Sequence, residues 1–142
     1  MTSNEEHHKD FDGWNEMKKG LHAGEVGPHY KTREIWWCSI GTNIGHEQDG
    51  TGDNYDRPIV VLRGFNRRIF LAVVLIGKRK TGYYYYPVGK VNDRQASAVL
   101  SQVRLLDSKR LVRKIGMLEK ERFATLQERT AKVVFERELG SK

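Results

Sequence analysis

The 142-residue chain has one cysteine, Cys38. That excludes an internal disulfide and any zinc site built from several cysteines, and it leaves the thiol as a small apolar residue in a strand-like run. No apolar run approaches the ~20 residues that a membrane span requires. The N-terminus, MTSNEEHHKDFDGW, has neither a basic nor an apolar leader segment, so the expected address is the cytoplasm. Internal repeats and low-complexity tracts are also missing. The length suits one ordinary domain with one core plus a tail. Hydrophobic residues at 38% and charged residues at 30% are those of a globular protein.

Charge is present but unevenly placed. Residues 1–30 hold three lysines against six carboxylates, a formal −3; against the total of +7 this leaves +10 for residues 31–142. A basic body gains by displacing counterions from phosphates, so a nucleic acid is the first partner to consider and an acidic protein the second. The charge split also suggests that the acidic head covers a basic groove. Excess charge that only maintains solubility explains the same numbers.

The head, residues 1–30, contains one short helix pattern, with Asp12 as N-cap and Trp14, Met17 and Leu21 on one stripe that docks on the body. His7 and His8 sit in a polar terminus without the partners a metal site needs, and no metal is assigned. From residue 33 the pattern becomes strands: REIWWCSIG, RPIVVLRGF, RRIFLAVVLIG, TGYYYYPVG and SAVLSQVRLLD, with a GFNRR hairpin built on Gly64 and Asn66. In the YYYY run, Tyr83 to Tyr86 alternate faces. SKRLVRKIG reads as a helical turn leading into a last strand. Residues 118–138 place Phe123, Leu126, Thr130, Val133 and Val134 on the stripe of an amphipathic helix. Short strands with short connections and a terminal helix predict a small, strongly bent antiparallel sheet or barrel.

One connection is long for its setting. GTNIGHEQDGTGDNYD, about 15 residues, reads as a mobile loop of the kind that grips substrates. Arg57 follows it and precedes Pro58, which marks a strand start and stiffens the backbone behind a planar five-donor group suited to a phosphate or carboxylate. The alternative is that Arg57 pairs with Asp53, Asp56 or Glu47 and pins the loop. On the same loop His46 can move protons near neutral pH, Glu47 can act as a base, and Gln48 adds an amide. Lys78, in the KRK turn, has phosphate-binding potential. Ser101, Gln102 and Arg104 offer a hydrogen-bonding strand.

Taken in order, REIWWCSIG, GHEQDG, DRPIVVL, an apolar strand and SAVLSQVRLLDSKRLVRKIGML before a terminal helix resemble the MazF/PemK family of toxin components of bacterial toxin–antitoxin pairs, from about residue 33 to about residue 137. The resemblance implies an SH3-like barrel domain over residues 31–142 that forms a homodimer. It also implies a metal-independent endoribonuclease on single-stranded RNA, without cofactor, inhibited by an acidic antitoxin. The chemistry implied is attack of a ribose 2′-hydroxyl on the adjacent phosphorus. Arg57 would stabilise the developing charge, while Glu47 and Gln102 would serve as base or phosphate contact. His46, Gln48, Lys78 and Arg104 would hold RNA. One family feature does not carry over: the threonine or serine expected at the end of the third strand is replaced by Ile76 and Gly77. Losing one positioned donor costs on the order of 3 kcal/mol of transition-state stabilisation, so unless Ser97, Ser101 or Thr81 substitutes, the chain is expected to be a slow enzyme or an RNA- or antitoxin-binding module. A DNA-binding regulator finds little support, because no helix combines a basic face with a helix-turn-helix neighbour.

Overall fold

The structure, a computed structural model, describes residues 8–136. It consists of helix α1 (Phe11–Ala23), strands β1 (Glu34–Ser39), β2 (Asp56–Gly64), β3 (Ile69–Ile76), β4 (Tyr85–Val91), β5 (Arg94–Asp107) and β6 (Leu111–Met117), and helix α2 (Lys120–Phe135), with a 3-10 turn at Ser108–Arg110 before β6. The strands form one antiparallel sheet in the order β4-β5-β3-β2-β1-β6. Fourteen-residue β5 pairs with both β3 and β4, and irregularities in register such as that between Val73 and Leu75 add the bend that curls the sheet into a half-barrel. The expected fold class, mainly β with helices at both ends, holds.

The central strands read as continuous apolar runs because they are buried on both faces. Val60, Leu62, Val73 and Leu75 point to one face, where Phe123 and Leu126 of α2 close the core. Ile59, Val61, Ala72, Val74 and Phe70 point to the other, with Trp36, Cys38 and Leu111. Leu126 is fully buried, and its truncation to alanine is expected to cost roughly 2–5 kcal/mol. The α2 stripe holds through Phe123, Leu126 and Thr130, and Val133 packs against the core. Val134 does not join them and is 45% exposed. Residues 137 and 138, also included in the predicted helix, lie outside the described residues, as does His7.

Two further expectations are corrected. The cap of α1 is Asp10, whose carboxylate accepts from the Gly13 N–H at 2.9 Å, rather than Asp12; the second oxygen of Asp10 also accepts from the Tyr55 hydroxyl at 3.1 Å, a tertiary contact that favours it. The four tyrosines do not share one strand: β4 begins at Tyr85, and Tyr83 and Tyr84 stand exposed in the preceding turn, their rings edge to face. The GFNRR hairpin forms as read, with the Asn66 side chain accepting from the N–H groups of Arg68 and Ile69.

Helix α1 docks through Trp14, which is buried. The ring lies against Gly41, where φ is +84° and an added Cβ would meet the indole at 2.2 Å, and 5.5 Å from the Tyr55 ring. Gly41 is thus required twice, for its left-handed backbone and for the absence of a side chain.

Candidate active site

Arg57 is the second residue of β2, paired in register with Cys38 of β1. Its Nε donates to the Asp49 carbonyl. The Gln48 amide is oriented by its partners, with the oxygen toward the guanidinium, accepting from Nε at 3.1 Å and Nη2 at 3.0 Å. Burial lowers the Arg57 pKa from its ordinary value, and the nearby Asp49 charge opposes that shift; an arginine so placed stays cationic at neutral pH. Among the described residues Glu47, Asp53 and Asp56 form no ion pair with it. Pinning of the loop by Arg57 therefore occurs, but through an amide and a carbonyl.

The loop over residues 40–55, read as mobile, is tethered. Asp49, 9% exposed, accepts from the Asn43 N–H at 2.7 Å and pairs with Lys9 at 3.4 Å. The same ammonium reaches the carbonyls of Asn43 and Gly45. The Asn43 amide donates to the carbonyls of Ile40 and Gln48, and the Gly50 N–H donates to the Gly41 carbonyl at 2.8 Å. Glu47 closes its own turn by accepting from the Ile44 N–H at 3.0 Å. Buried polar groups satisfied in this way favour one loop conformation.

Two cavities lie near these residues, and Gln48 lines the first of them. One, of about 280 Å³, is lined by Glu47, Gln48, Ser101, Gln102 and Arg104 with Asn43 and Val103; the Gln48 N–H donates to Gln102 Oε1 at 3.3 Å, and Arg104 donates to the Ile40 carbonyl at 3.1 Å. The other, of about 210 Å³, is lined by Arg57 with Trp37, Thr51, Ile76, Gly77 and Arg94 among others. Gln48 therefore links the Arg57 guanidinium to Gln102, bringing together Arg57, Gln48, Gln102, Glu47 and Arg104. His46 and Lys78 are exposed and line neither cavity.

The missing hydroxyl has a structural counterpart. Carrying the register Ile59↔Val74 outward by two residues sets Ile76 opposite Arg57, and Ile76 lines the Arg57 cavity. Ser97, paired with Ile76 across β5, does not replace it. Its hydroxyl is fully buried, accepts from the Lys80 N–H and donates to the Lys78 carbonyl, both at 2.8 Å. Thr81 lines a separate cavity beside α2. Ser101 opens onto the Gln102 side, and Thr51, which sequence reasoning passed over, lines the Arg57 side.

Sequence reasoning also missed Asp49 and Lys9, whose pairing spans 40 residues and has no local signature, and Trp37, whose indole N–H is buried without an acceptor among the described residues. No group of three His, Cys, Asp or Glu side chains among the described residues is placed to hold a metal ion. The buried Cys38 thiol is pushed up to about 12 by desolvation, with Arg110 and Arg104 opposing, so it is a packing residue rather than a nucleophile. No helix among the described residues is long and apolar enough to cross a membrane.

A guanidinium is thus held at the lip of a small curled antiparallel sheet, near a basic and amide-lined cavity. The chain belongs to the family of PemK-like, MazF-like toxins of type II toxin–antitoxin systems, whose family model matches residues 31–134. Among solved structures it is similar to MazF from Deinococcus radiodurans, with a TM-score of 0.60 at 16% identity, covering 78% of this chain and 98% of that one. An endoribonuclease from Mycobacterial species gives 0.57 at 12% identity, covering 78% and 95%. A Mycobacterial endoribonuclease in complex with its cognate antitoxin gives 0.54 at 15% identity, covering 82% and 98%. No curated protein matches the chain.

Proposed function

We propose that the protein is a cytoplasmic toxin of a toxin–antitoxin pair, a metal-independent endoribonuclease that cuts single-stranded RNA, mRNA included, and works as a homodimer restrained by an acidic antitoxin. The observation that carries this reading is the Arg57–Gln48–Gln102 chain of contacts at the strand end. Arg57 is fixed by an amide and a carbonyl with the Asp49 charge nearby, and its guanidinium is offered to a phosphodiester oxygen. Gln102 and Gln48 orient the strand beside it. Glu47, the carboxylate lining the Gln102 cavity, accepts the 2′-hydroxyl proton as that oxygen attacks phosphorus. The P–O5′ bond breaks and the departing oxygen takes a proton from solvent, leaving a cyclic phosphate and a 5′-hydroxyl. An antitoxin partner accords with the antitoxin complex of a neighbour in fold and with the +10 carried by residues 31–142.

A second reading is favoured by one observation. Ile76 and Gly77 bring no side-chain hydrogen-bond donor to the Arg57 cavity, and Ser97 is committed to its turn; a module that holds RNA or antitoxin without turnover fits these facts. Incubating the purified protein with mixed-sequence RNA in EDTA separates the two. The enzyme produces fragments that are absent with Arg57→Ala. The module binds the RNA, with affinity falling steeply in salt, and produces none.

A further inference from the structure

Three cavities on the α1 side of the molecule share residues in sequence. The Gln102 cavity shares Asn43, Glu47 and Arg104 with one of about 570 Å³ under α1, which in turn shares Trp14, Lys18 and Arg110 with one of about 340 Å³ that ends at His22 and Lys109. They form one furrow, with α1 as a wall and the barrel as its floor. The helix contributes Phe11, Trp14, Lys18 and Leu21, recurring at three- and four-residue intervals on one face. The floor contributes Arg104, Arg110 and Lys109.

The furrow is cationic in a particular way. Arg104 and Arg110 donate to the carbonyls of Ile40 and Ser39, both at 3.1 Å, and among the described residues no carboxylate lies within ion-pair distance of Arg104, Arg110 or Lys18. Of the acids that line it, Glu47 accepts from the Ile44 N–H and Asp107 from the Lys109 N–H; the third is Asp12. Burial and the neighbouring Arg104 charge depress the Arg110 pKa, with Cys38 and Asp107 opposing. Phe11, 50% exposed, lines the same furrow and offers a face on which an unpaired base can stack.

We infer that the furrow between α1 and the barrel binds the continuation of the single-stranded RNA whose scissile phosphate sits at Arg57, with Lys18 and Arg110 on its backbone and Phe11 against a base. The inference rests on the ribonuclease reading. It gives the acidic head a role opposite to that suggested by its net charge: the head forms part of the substrate site rather than a cover over it. Continuity with the Gln102 cavity and the alternation of cations with an exposed aromatic favour RNA over an acidic peptide as occupant.

The test is a pair of charge-matched variants in the full-length protein. Both lysines are exposed, but Lys18 lines the furrow, whereas Lys19, on the same helix, is paired with Glu16 at 3.3 Å. Affinity for a twelve-nucleotide 2′-O-methyl oligonucleotide, which cannot be cut, is measured over a salt series. Lys18→Glu should weaken binding roughly tenfold and reduce the salt slope by about 0.7, the value of one lost phosphate contact on a single strand, with Lys18→Arg restoring both. Lys19→Glu should leave the binding constant within about twofold of wild type. Equal weakening by both variants would mean that net charge alone acts, and no effect from Lys18→Glu would remove the furrow from the substrate path; either result overturns the inference. If Arg57→Ala weakens binding while Lys18→Glu does not, the inference fails and the ribonuclease reading stands. If the wild-type protein binds no RNA, both fail. Lys18-dependent capture of a polyglutamate peptide with Lys18-independent RNA binding would assign the furrow to an acidic protein partner and overturn the inference as well.

Discussion

Two connections frame the Arg57 cavity, and they are held in opposite ways. The chain from β1 to β2, residues 40–55, is anchored from outside by Lys9 and Trp14 and from inside by Asp49, Asn43 and Arg57. The chain from β3 to β4, residues 77–84, is exposed throughout and is tied to the sheet by the Ser97 hydroxyl. The first carries the groups that orient the guanidinium. The second begins at the rim where Ile76 and Gly77 stand without a hydroxyl. Order is concentrated on the Arg57 side of the cavity, and the opposite side keeps its backbone contacts without a hydroxyl, with Arg94 as the cation beside Gly77.

The contrast can be broken most strongly at Gly41. Gly41→Ala forces a Cβ into the Trp14 ring at a left-handed backbone position, and a loss of roughly 2–4 kcal/mol is expected in chemical denaturation, with α1 detached from the loop. A loss under 1 kcal/mol would mean that the helix does not clamp the loop. On the other connection, Ser97→Ala leaves the Lys80 N–H and Lys78 carbonyl unpartnered and is expected to cost about 1–3 kcal/mol. Faster hydrogen exchange should then be confined to residues 77–84, whereas Gly41→Ala should raise exchange in residues 40–55.

Ile76→Thr sharpens the contrast in the other direction, by placing a hydroxyl opposite Arg57. A gain of about tenfold or more in RNA cleavage is expected, equivalent to roughly 1.4 kcal/mol of transition-state stabilisation; an unchanged rate would show that the site does not lack that donor. The smallest effect lies away from both connections. Burial alone would raise the pKa of Glu34, but hydrogen bonds from Trp36, the Lys31 N–H and Lys114 outweigh it and the net shift is downward from 4.5. A depressed carboxylate contributes stability that is fully present above the unfolded value and lost as pH falls through the folded one. Thermal midpoints should therefore decline below pH about 4.5 for the wild type and more gently for Glu34→Gln.

What could be read before folding is explained by the range of the interactions. The strands, the α2 stripe and the Asn66 turn are local: the first two follow from hydrophobic periodicity, the third from a side chain bonding its own backbone two and three residues on. Arg57 was legible because Pro58 announces a strand start. The anchoring of its loop was not, since Lys9 lies 34 residues from Asn43 and Gln48 lies 54 from Gln102. Asp10 and Asp12 are equally good caps on paper, and the Tyr55 hydroxyl 45 residues away bears on only one of them. The tyrosine run misled for a similar reason: Gly82, at φ +124°, turns the chain before the strand pairing begins.

The account stands or falls on the guanidinium at residue 57. The most direct measurement is mass spectrometry of the ends produced from a defined single-stranded RNA in EDTA by wild type and by Arg57→Ala. The predicted result is 2′,3′-cyclic phosphate ends from the wild type at a rate two to three orders of magnitude above the variant, the order of loss expected when one charge-stabilising donor is removed. Equal amounts of the same ends from both proteins would contradict it.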